Sequence, residues 1–533
     1  MKSSHILIVV LCLLLVSILV PTTGFAQSAG DYRSNGTGGG NWGIAATWQR
    51  FNGTTWVPAS SPPTGSEFAT IQSTDSVYFN VAVSISNQLE NHGKLGGVGN
   101  LTIANGGIYD HSQNNGSIPQ ATWATGSTCK VTGYVSGSKP NNSNQSFYNF
   151  TWDCAGQTSN VDLAMTGNTI GGNFTVNSTG SPTAARVYLT SPGSYASPIT
   201  INGNVVVTGG QFASNGSGSV PVDTIVVNTL GNISVTGGNF SVSRGSAPDV
   251  KWNLHGDFSV TNATLQNSGG NHVNKLIFTG TGTHNVTLTS VTYGTGTSYF
   301  TMEVQSGSTV DLGTSVISSS NTGSFILLAG ATLATGHASG VSGCIQCTGA
   351  SNGGGNSFST AANYTFDGSV AQVTSSLMPT TVNNLTINDT AGVALSQPTT
   401  INGVLRLVAG VFDNTIPFTL GPGGSISYEG GSLLVSVKPT ADGTIPESFF
   451  VDQNYPNPFN PATTVRFGLP HGSFVTVRVF DLLGQEVATL FEGWQNAGVY
   501  DLDFDASSLS SGVYFYRIQA DKTVDTKRMV LIK

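Results

Sequence analysis

With 533 residues, of which only 9% are charged and 68 are glycine, the chain is long enough for several domains yet far from average globular composition. Its formal charge is −8 and it contains no run of Lys or Arg. That balance excludes nucleic acid as a partner, because phosphate binding needs clustered cations.

The N-terminus reads as a secretory signal. Lys2 supplies the positive start, residues 6–20 the apolar stretch, and Gly24-Phe25-Ala26 a small-x-small site, so cleavage is expected between Ala26 and Gln27. The stretch is too short to span a bilayer comfortably, and Cys12 lies within it rather than at the cleavage point. No other such stretch occurs, so no transmembrane segment is expected once residues 1–26 are removed.

Residues 27–64 hold Trp42, Trp48 and Trp56. Clustered tryptophans suit either a platform for stacking on sugars or a plug that closes the first layer of a repeat array. We read an aromatic-rich N-terminal cap.

From 65 to 435 the chain becomes a succession of short β segments with an internal repeat. Gly172, Gly203, Gly231, Gly256 and Gly403 align, and the first four are followed by Asn173, Asn204, Asn232 and Asp257. Two positions after each Gly stand Phe174, Val205, Ile233, Phe258 and Leu405; four positions after stand Val176, Val207, Val235, Val260 and Leu407. Residues two apart on a strand share a face, so these pairs point into a core while the residue between them faces solvent. Nine positions after, Phe212, Phe240, Leu265 and Phe412 supply a further apolar side chain. The first four glycines are 31, 28 and 25 residues apart, close to one coil of a β-solenoid. A single coil cannot bury its apolar face alone, so the coils must stack. The expected fold is all-β: a right-handed parallel β-helix over 65–435, with a string of separate sandwiches as the rival.

Catalysis on such a scaffold needs carboxylates and a base converging on one face of neighbouring coils. The acids of this region are scattered, with no Asp-Asp or Asp-x-Asp among them. Asp110-His111 and His255-Gly256-Asp257 come nearest to a site, and the latter reads as solvent-exposed turn residues. His92, His272, His284 and His337 lack paired ligand spacing, so neither metal nor cofactor is expected and no catalytic residue is assigned. Beyond Cys12 four cysteines remain. An exported chain meets oxidising conditions, so disulfides are expected among Cys129, Cys154, Cys344 and Cys347. The 25-residue gap between Cys129 and Cys154 matches one coil and favours that pair. Cys344-Ile345-Gln346-Cys347 reads as a local bridge.

Residues 436–447 form the expected linker. Composition changes there: residues 65–440 carry 24 charges, whereas the 86 residues of 448–533 carry 16. The last segment opens with Asn454-Tyr455-Pro456-Asn457-Pro458-Phe459-Asn460-Pro461, whose prolines forbid a central strand. Six or seven alternating strands follow, including Val465/Phe467/Leu469 and Val475/Val477/Val479, which predicts a small immunoglobulin-like sandwich. Asp501, Asp503 and Asp505 alternate along one strand. They match no calcium loop and read as a solvated outer face.

That opening phrase, Phe480-Asp481-Leu482-Leu483-Gly484-Gln485-Glu486-Val487, Ser511-Gly512-Val513-Tyr514-Phe515-Tyr516 and Lys527-Arg528-Met529-Val530-Leu531-Ile532-Lys533 resemble the type A C-terminal sorting domain of type IX secretion cargo. The resemblance covers about one sixth of the chain. It implies export from a Gram-negative bacterium through the Sec route and then the type IX outer-membrane machinery, to the outer surface or beyond. Asp31-Tyr32-Arg33-Ser34 and Thr47-Trp48-Gln49 resemble the start of Gly-rich cargo of the same system, and the middle resembles Gly/Ser/Thr-rich β-solenoid surface proteins. The expected function is an adhesin-like or glycan-binding surface protein. The alternative is a polysaccharide lyase or glycoside hydrolase on the same scaffold.

Overall fold

The computed structural model describes residues 27–533 except 181–184, 192–194, 196, 217–223, 245–248, 268–273, 295–299, 319–322, 348–354, 435–436, 440–444, 496 and 508. The expected signal, with Ala26, lies outside the described residues; Gln27 is exposed.

The repeat winds into a β-solenoid of about 13 turns. Each coil contributes short strands that pair, parallel and in register, with the coils before and after. One face runs the whole length. It begins at Tyr32–Ser34 and Ala69–Ile71, continues through Phe174–Ser178, Val205–Val207, Ile233–Val235 and Phe258–Thr261, and ends at Ser425–Tyr428. The other two faces are built in three successive segments, with the longest, eight strands from Thr169–Ile170 to Ser357–Phe358, in the middle.

The aligned apolar pairs occupy equivalent places in this stack. Phe174 is in register with Val205, Val205 with Ile233, and Ile233 with Phe258; Val176, Val207, Val235 and Val260 follow in step. All eight side chains are buried. Phe212, Phe240 and Leu265 form a second buried column, in register across the neighbouring face. Aromatic rings stack along and between the columns: Phe150 on Phe174 in the same column at 5.3 Å, and Phe174 on Phe212 across to the second at 5.1 Å. The dry interior is continuous with the N-terminal cap, where Trp42 and Trp48 meet edge-on at 4.8 Å and Trp42 stacks on Phe79. Each indole donates its N–H to a backbone carbonyl, Trp42 to Pro63 and Trp48 to Trp42. Trp56 lies outside this plug, under the Arg33 guanidinium.

The Gly-Asn pair has a more specific job than making a turn. Asn173 N–H donates to Asn149 Oδ1, Asn204 to Asn173, Asn232 to Asn204, Asp257 to Asn232, and Asn285 to Asp257, all at 2.7–2.9 Å. The side chains thus form a ladder along the corner, each satisfying the next coil's backbone donor. Glycine precedes Asn173, Asn204, Asn232 and Asp257 because the backbones touch there: a Cβ on Gly231 would lie 2.6 Å from Gly203 O, and one on Gly256 would lie 2.4 Å from Gly231 O.

Coil length varies along the molecule. Ala69, Leu89, Tyr109, Cys129 and Phe150 are in register at intervals of 20, 20, 20 and 21 residues, shorter than in the middle of the chain. Gly282–Thr289 joins two stacks that are offset sideways. Its second half pairs with Phe258–Thr261 behind it, while its first half pairs with Ser308–Asp311 ahead.

The expected disulfides are not seen, and the short coils count against the favoured Cys129–Cys154 pair. The structure holds all four cysteines as buried free thiols. Cys129 is in register with Phe150, so Cys154 overshoots by four residues, about 13 Å along an extended strand and beyond the reach of a disulfide. Cys154 Sγ instead contacts Val131 O at 3.3 Å. Cys344 and Cys347 flank the end of the short helix Gly340–Cys344, and their Sγ atoms turn to Val341 O and Asn356 Oδ1 respectively.

The C-terminal unit consists of two four-stranded antiparallel sheets. One contains Val437–Pro439, Gly498–Asp505, Ala462–Leu469 and Phe450–Val451; the other contains Glu486–Gln495, Ser473–Phe480, Gly512–Ala520 and Thr523–Leu531. Val465, Phe467, Leu469, Val475, Val477 and Val479 are buried in its core, as their alternation requires. Of the expected linker, Val437–Pro439 pairs with the Gly498–Asp505 strand; residues 436 and 440–444 lie outside the described residues.

Candidate functional site

Three places on the solenoid surface gather polar side chains. The first is a groove of about 430 Å³ on the continuous face, across coils that follow the offset strand. Outward residues line up in columns there: Thr283, Thr309, Thr332 and Asn363 in one, Asp311, Ala334, Thr365, Thr386 and Arg406 in the other. Neighbouring rungs stand about 4.8 Å apart, so the groove offers hydroxyl and amide groups at regular intervals. Arg406 closes one end in a two-pronged ion pair with Glu429, at 3.0 and 2.7 Å. Asp367 lies in the same groove. Burial, helped by the charges of Asp311 and Asp389, pushes its carboxyl up to about 6.

The second is a charged row on the early coils. Thr70, Glu90, Asp110, Lys130 and Thr151 are in register on consecutive strands and project outward. His92 Nε2 pairs with Glu90 at 3.1 Å, and Lys130 Nζ with Asp153 at 3.2 Å. Thr132 donates to Asp110 Oδ1 at 2.7 Å. The two neighbouring carboxyls are driven apart. Burial pushes Asp110 up, whereas Glu90, despite its own burial, is held below the usual range by hydrogen bonding and charge from His92. His92 is raised in turn by Glu90.

The third is a groove of about 440 Å³ on another face, lined by Lys251, Asn253, His255, Lys275, Glu303 and Gln305 among others. Lys251 and Lys275 are in register on adjacent strands, and Lys275 is paired with Glu303.

In the C-terminal unit the proline-rich phrase is knitted to distant strands. Tyr516 OH donates to Asp452 O at 2.7 Å and accepts from Asn454 N–H at 2.9 Å. Asn457 Oδ1 accepts the Val530 N–H at 2.9 Å, and Phe459 bridges to Leu531 with its ring buried against Phe504. Asn454 Nδ2 and Thr463 Oγ1 both donate to Pro456 O. Pro458, Asn460 and Pro461 carry the chain from this anchor into the Ala462–Leu469 strand. Gly484 sits at φ +78°, where glycine is favoured, in a turn capped by Asp481 Oδ1. Tyr514 OH donates to Ser510 O two residues before Gly512, and the Lys533 ammonium and N–H reach Ser507 O and Ser511 Oγ. Lys527 pairs with Asp525 at 3.4 Å. The phrases read in the sequence therefore converge on one scaffold, with Tyr455 81% and Leu483 85% exposed beside it.

Residues 453–533 match the family model described as Secretion system C-terminal sorting domain. The chain is a type IX secretion cargo. The sorting domain directs it through the type IX machinery to the cell surface or extracellular space. No curated protein and no solved structure matches the chain. Among the described residues no helix is long and apolar enough to cross a membrane.

The other residues singled out in the cargo's sequence are dispersed. Asp110 and His111 point to opposite faces. His111 is buried inside, with Nδ1 3.1 Å from Tyr109 OH and Nε2 2.6 Å from Asn115 O, and burial lowers its pKa. His255 is exposed, and Asp257 is a rung of the corner ladder. His284 and His337 bond to separate backbone groups, and His272 lies outside the described residues. Among the described residues no three His, Cys, Asp or Glu side chains form a group able to hold a metal ion. In the sorting domain Asp501 takes a two-pronged ion pair from Arg466, at 2.6 and 2.8 Å, and Thr464 donates to Asp503. Asp501 and Asp503 thus serve cross-strand pairing, while Asp505 Oδ1 accepts the Ser507 N–H at 2.8 Å.

Sequence reasoning missed the charged row and both grooves. One signal was present: Glu90, Asp110 and Lys130 recur every 20 residues. The Gly-anchored alignment, with its longer period, passes over it.

Proposed function

We propose that the exported solenoid is a non-enzymatic, adhesin-like surface protein that holds glycan chains along its length. The observation that carries this reading is the Thr/Asn groove across Thr283–Arg406 coils, with hydroxyls and amides repeated at the rung spacing. Such groups exchange water for sugar hydroxyls at little net cost, so each contact is weak and affinity comes from number. The test is binding of the purified chain to a glycan array, with a reducing-sugar assay in parallel. Thr365→Val with Thr386→Val keeps shape while removing two hydroxyls, and should lower retention of the glycans that bind. Unchanged retention by that variant, or release of sugar product through the groove, would overturn the reading.

A second reading has one specific observation behind it. Glu90 and Asp110 are neighbouring carboxyls with their pKa values driven apart, an arrangement that suits one base and one acid in glycoside cleavage. Lys130 and His92 supply the cations beside them. Under this reading the wild-type chain releases reducing ends from a polysaccharide panel and both Glu90→Gln and Asp110→Asn abolish it. Product release that survives both substitutions would remove the assignment.

A further inference from the structure

We propose that the groove over Lys251 and Lys275 is a separate binding site for an acidic polysaccharide, one that carries carboxylate or sulfate groups. Like charges directly opposite on neighbouring strands are destabilising, yet these two lysines are in register on adjacent coils of a chain with few cations. Glu303, only 7% exposed, neutralises Lys275, and Gln305 fixes Glu303 by donating to its other oxygen. Lys251 is exposed, and no carboxylate among the described residues is within ion-pair distance of it. The lining therefore keeps an excess of positive charge, although the whole chain is at −8. Asn253 and Gln305 stand beside the lysines, ready to meet hydroxyl groups.

The shape favours an extended ligand over a small ion. The groove crosses three consecutive coils and is open to solvent, so an anion bound to one lysine alone would stay hydrated and weakly held. A chain with acidic groups on successive sugars engages Lys251 and Lys275 together, and the second contact then forms at high effective concentration. This site faces away from the Thr/Asn groove, on a different sheet, so either assignment stands or falls without the other.

The test uses the full chain and three polymers: polygalacturonate for carboxylate, dextran sulfate for sulfate, and dextran as the neutral control. Binding to at least one acidic polymer and not to dextran through this groove is expected, weakening as salt is added. Lys251→Gln with Lys275→Gln should weaken that binding about tenfold or more, the scale of one lost charge-assisted hydrogen bond. Glu303→Gln removes the internal counter-charge and should strengthen it several-fold. Unchanged affinity in the double-lysine variant, with an unaltered melting curve, would overturn the proposal. So would weaker binding in Glu303→Gln, or failure of the wild-type chain to bind either acidic polymer. Carboxylate-only or sulfate-only binding identifies the source, and both outcomes support the site.

Discussion

The solenoid and the sorting domain are both all-β, but they are specified in opposite ways. In the solenoid the same short instruction recurs: Gly, Asn, an apolar residue, a polar one, an apolar one. Register follows because parallel strands place equivalent positions beside each other, as Val205, Ile233 and Phe258 are placed. In the sorting domain nothing repeats. Its lead-in is held by single long-range contacts such as Asn457 to Val530 and Asn454 to Tyr516, each made once. A defect in a repeated rung is felt by its neighbours, whereas a defect in a unique contact is local to the anchor.

The two regions can be separated experimentally, and deletion gives the largest effect. Removing residues 448–533 should abolish surface display while leaving the solenoid folded inside the cell envelope; undiminished display of the truncated chain on intact cells would count against the division of labour. Next comes Phe174→Ala. It empties a site where Phe150 and Phe212 both stack, and should cost the solenoid about 3–5 kcal/mol. Hydrogen exchange should report faster opening of the surrounding coils with the sorting-domain strands unchanged. Tyr516→Phe reverses the pattern. It removes one donor and one acceptor at the lead-in and should destabilise the sorting domain by about 1–3 kcal/mol, with solenoid exchange unaltered.

The smallest effect is a pH dependence confined to the solenoid. The Asp367 carboxyl, pushed up to about 6, binds its proton more readily in the folded chain than in the unfolded one, where an Asp titrates near 3.8. Its contribution to stability is therefore fully present below the unfolded value and declines as pH rises through about 6. Asp367→Asn should flatten this dependence and raise stability at pH 7 by about 1 kcal/mol, a figure reduced for partial exposure of the group. Thermal melts at pH 5 and pH 7 check it. A steeper pH dependence in the variant would contradict the assignment.

How much of this was readable from residues alone follows from the same contrast. The apolar pairs after Gly172, Gly203, Gly231 and Gly256 were legible because burial on one face of a strand imposes alternation. Their stacking was legible from the spacing. The coils near Glu90, Asp110 and Lys130 were not, because no Gly-Asn corner precedes the strands that carry those residues and the coils run at 20 residues. That same change of period misplaced Cys154 opposite Cys129. Lys251 and Lys275 are 24 residues apart in sequence, and only the register brings them side by side. For the sorting domain the phrases announced the family, but that Asn457 would clasp the final strand is a long-range fact that no local pattern encodes.

The offset strand Gly282–Thr289 has a mechanical consequence. Where all three faces carry hydrogen-bonded ladders, as from Phe174–Ser178 to Phe258–Thr261, they share a pull along the axis. At this strand the continuous face must pass its load sideways along a single backbone, and the Val161–Tyr293 sheet ends beside it, while Asn274–Phe278 and Phe300–Val304 remain in register. Tension is concentrated on that one intact sheet, which makes this seam a weak point when a tethered molecule is pulled in flowing liquid.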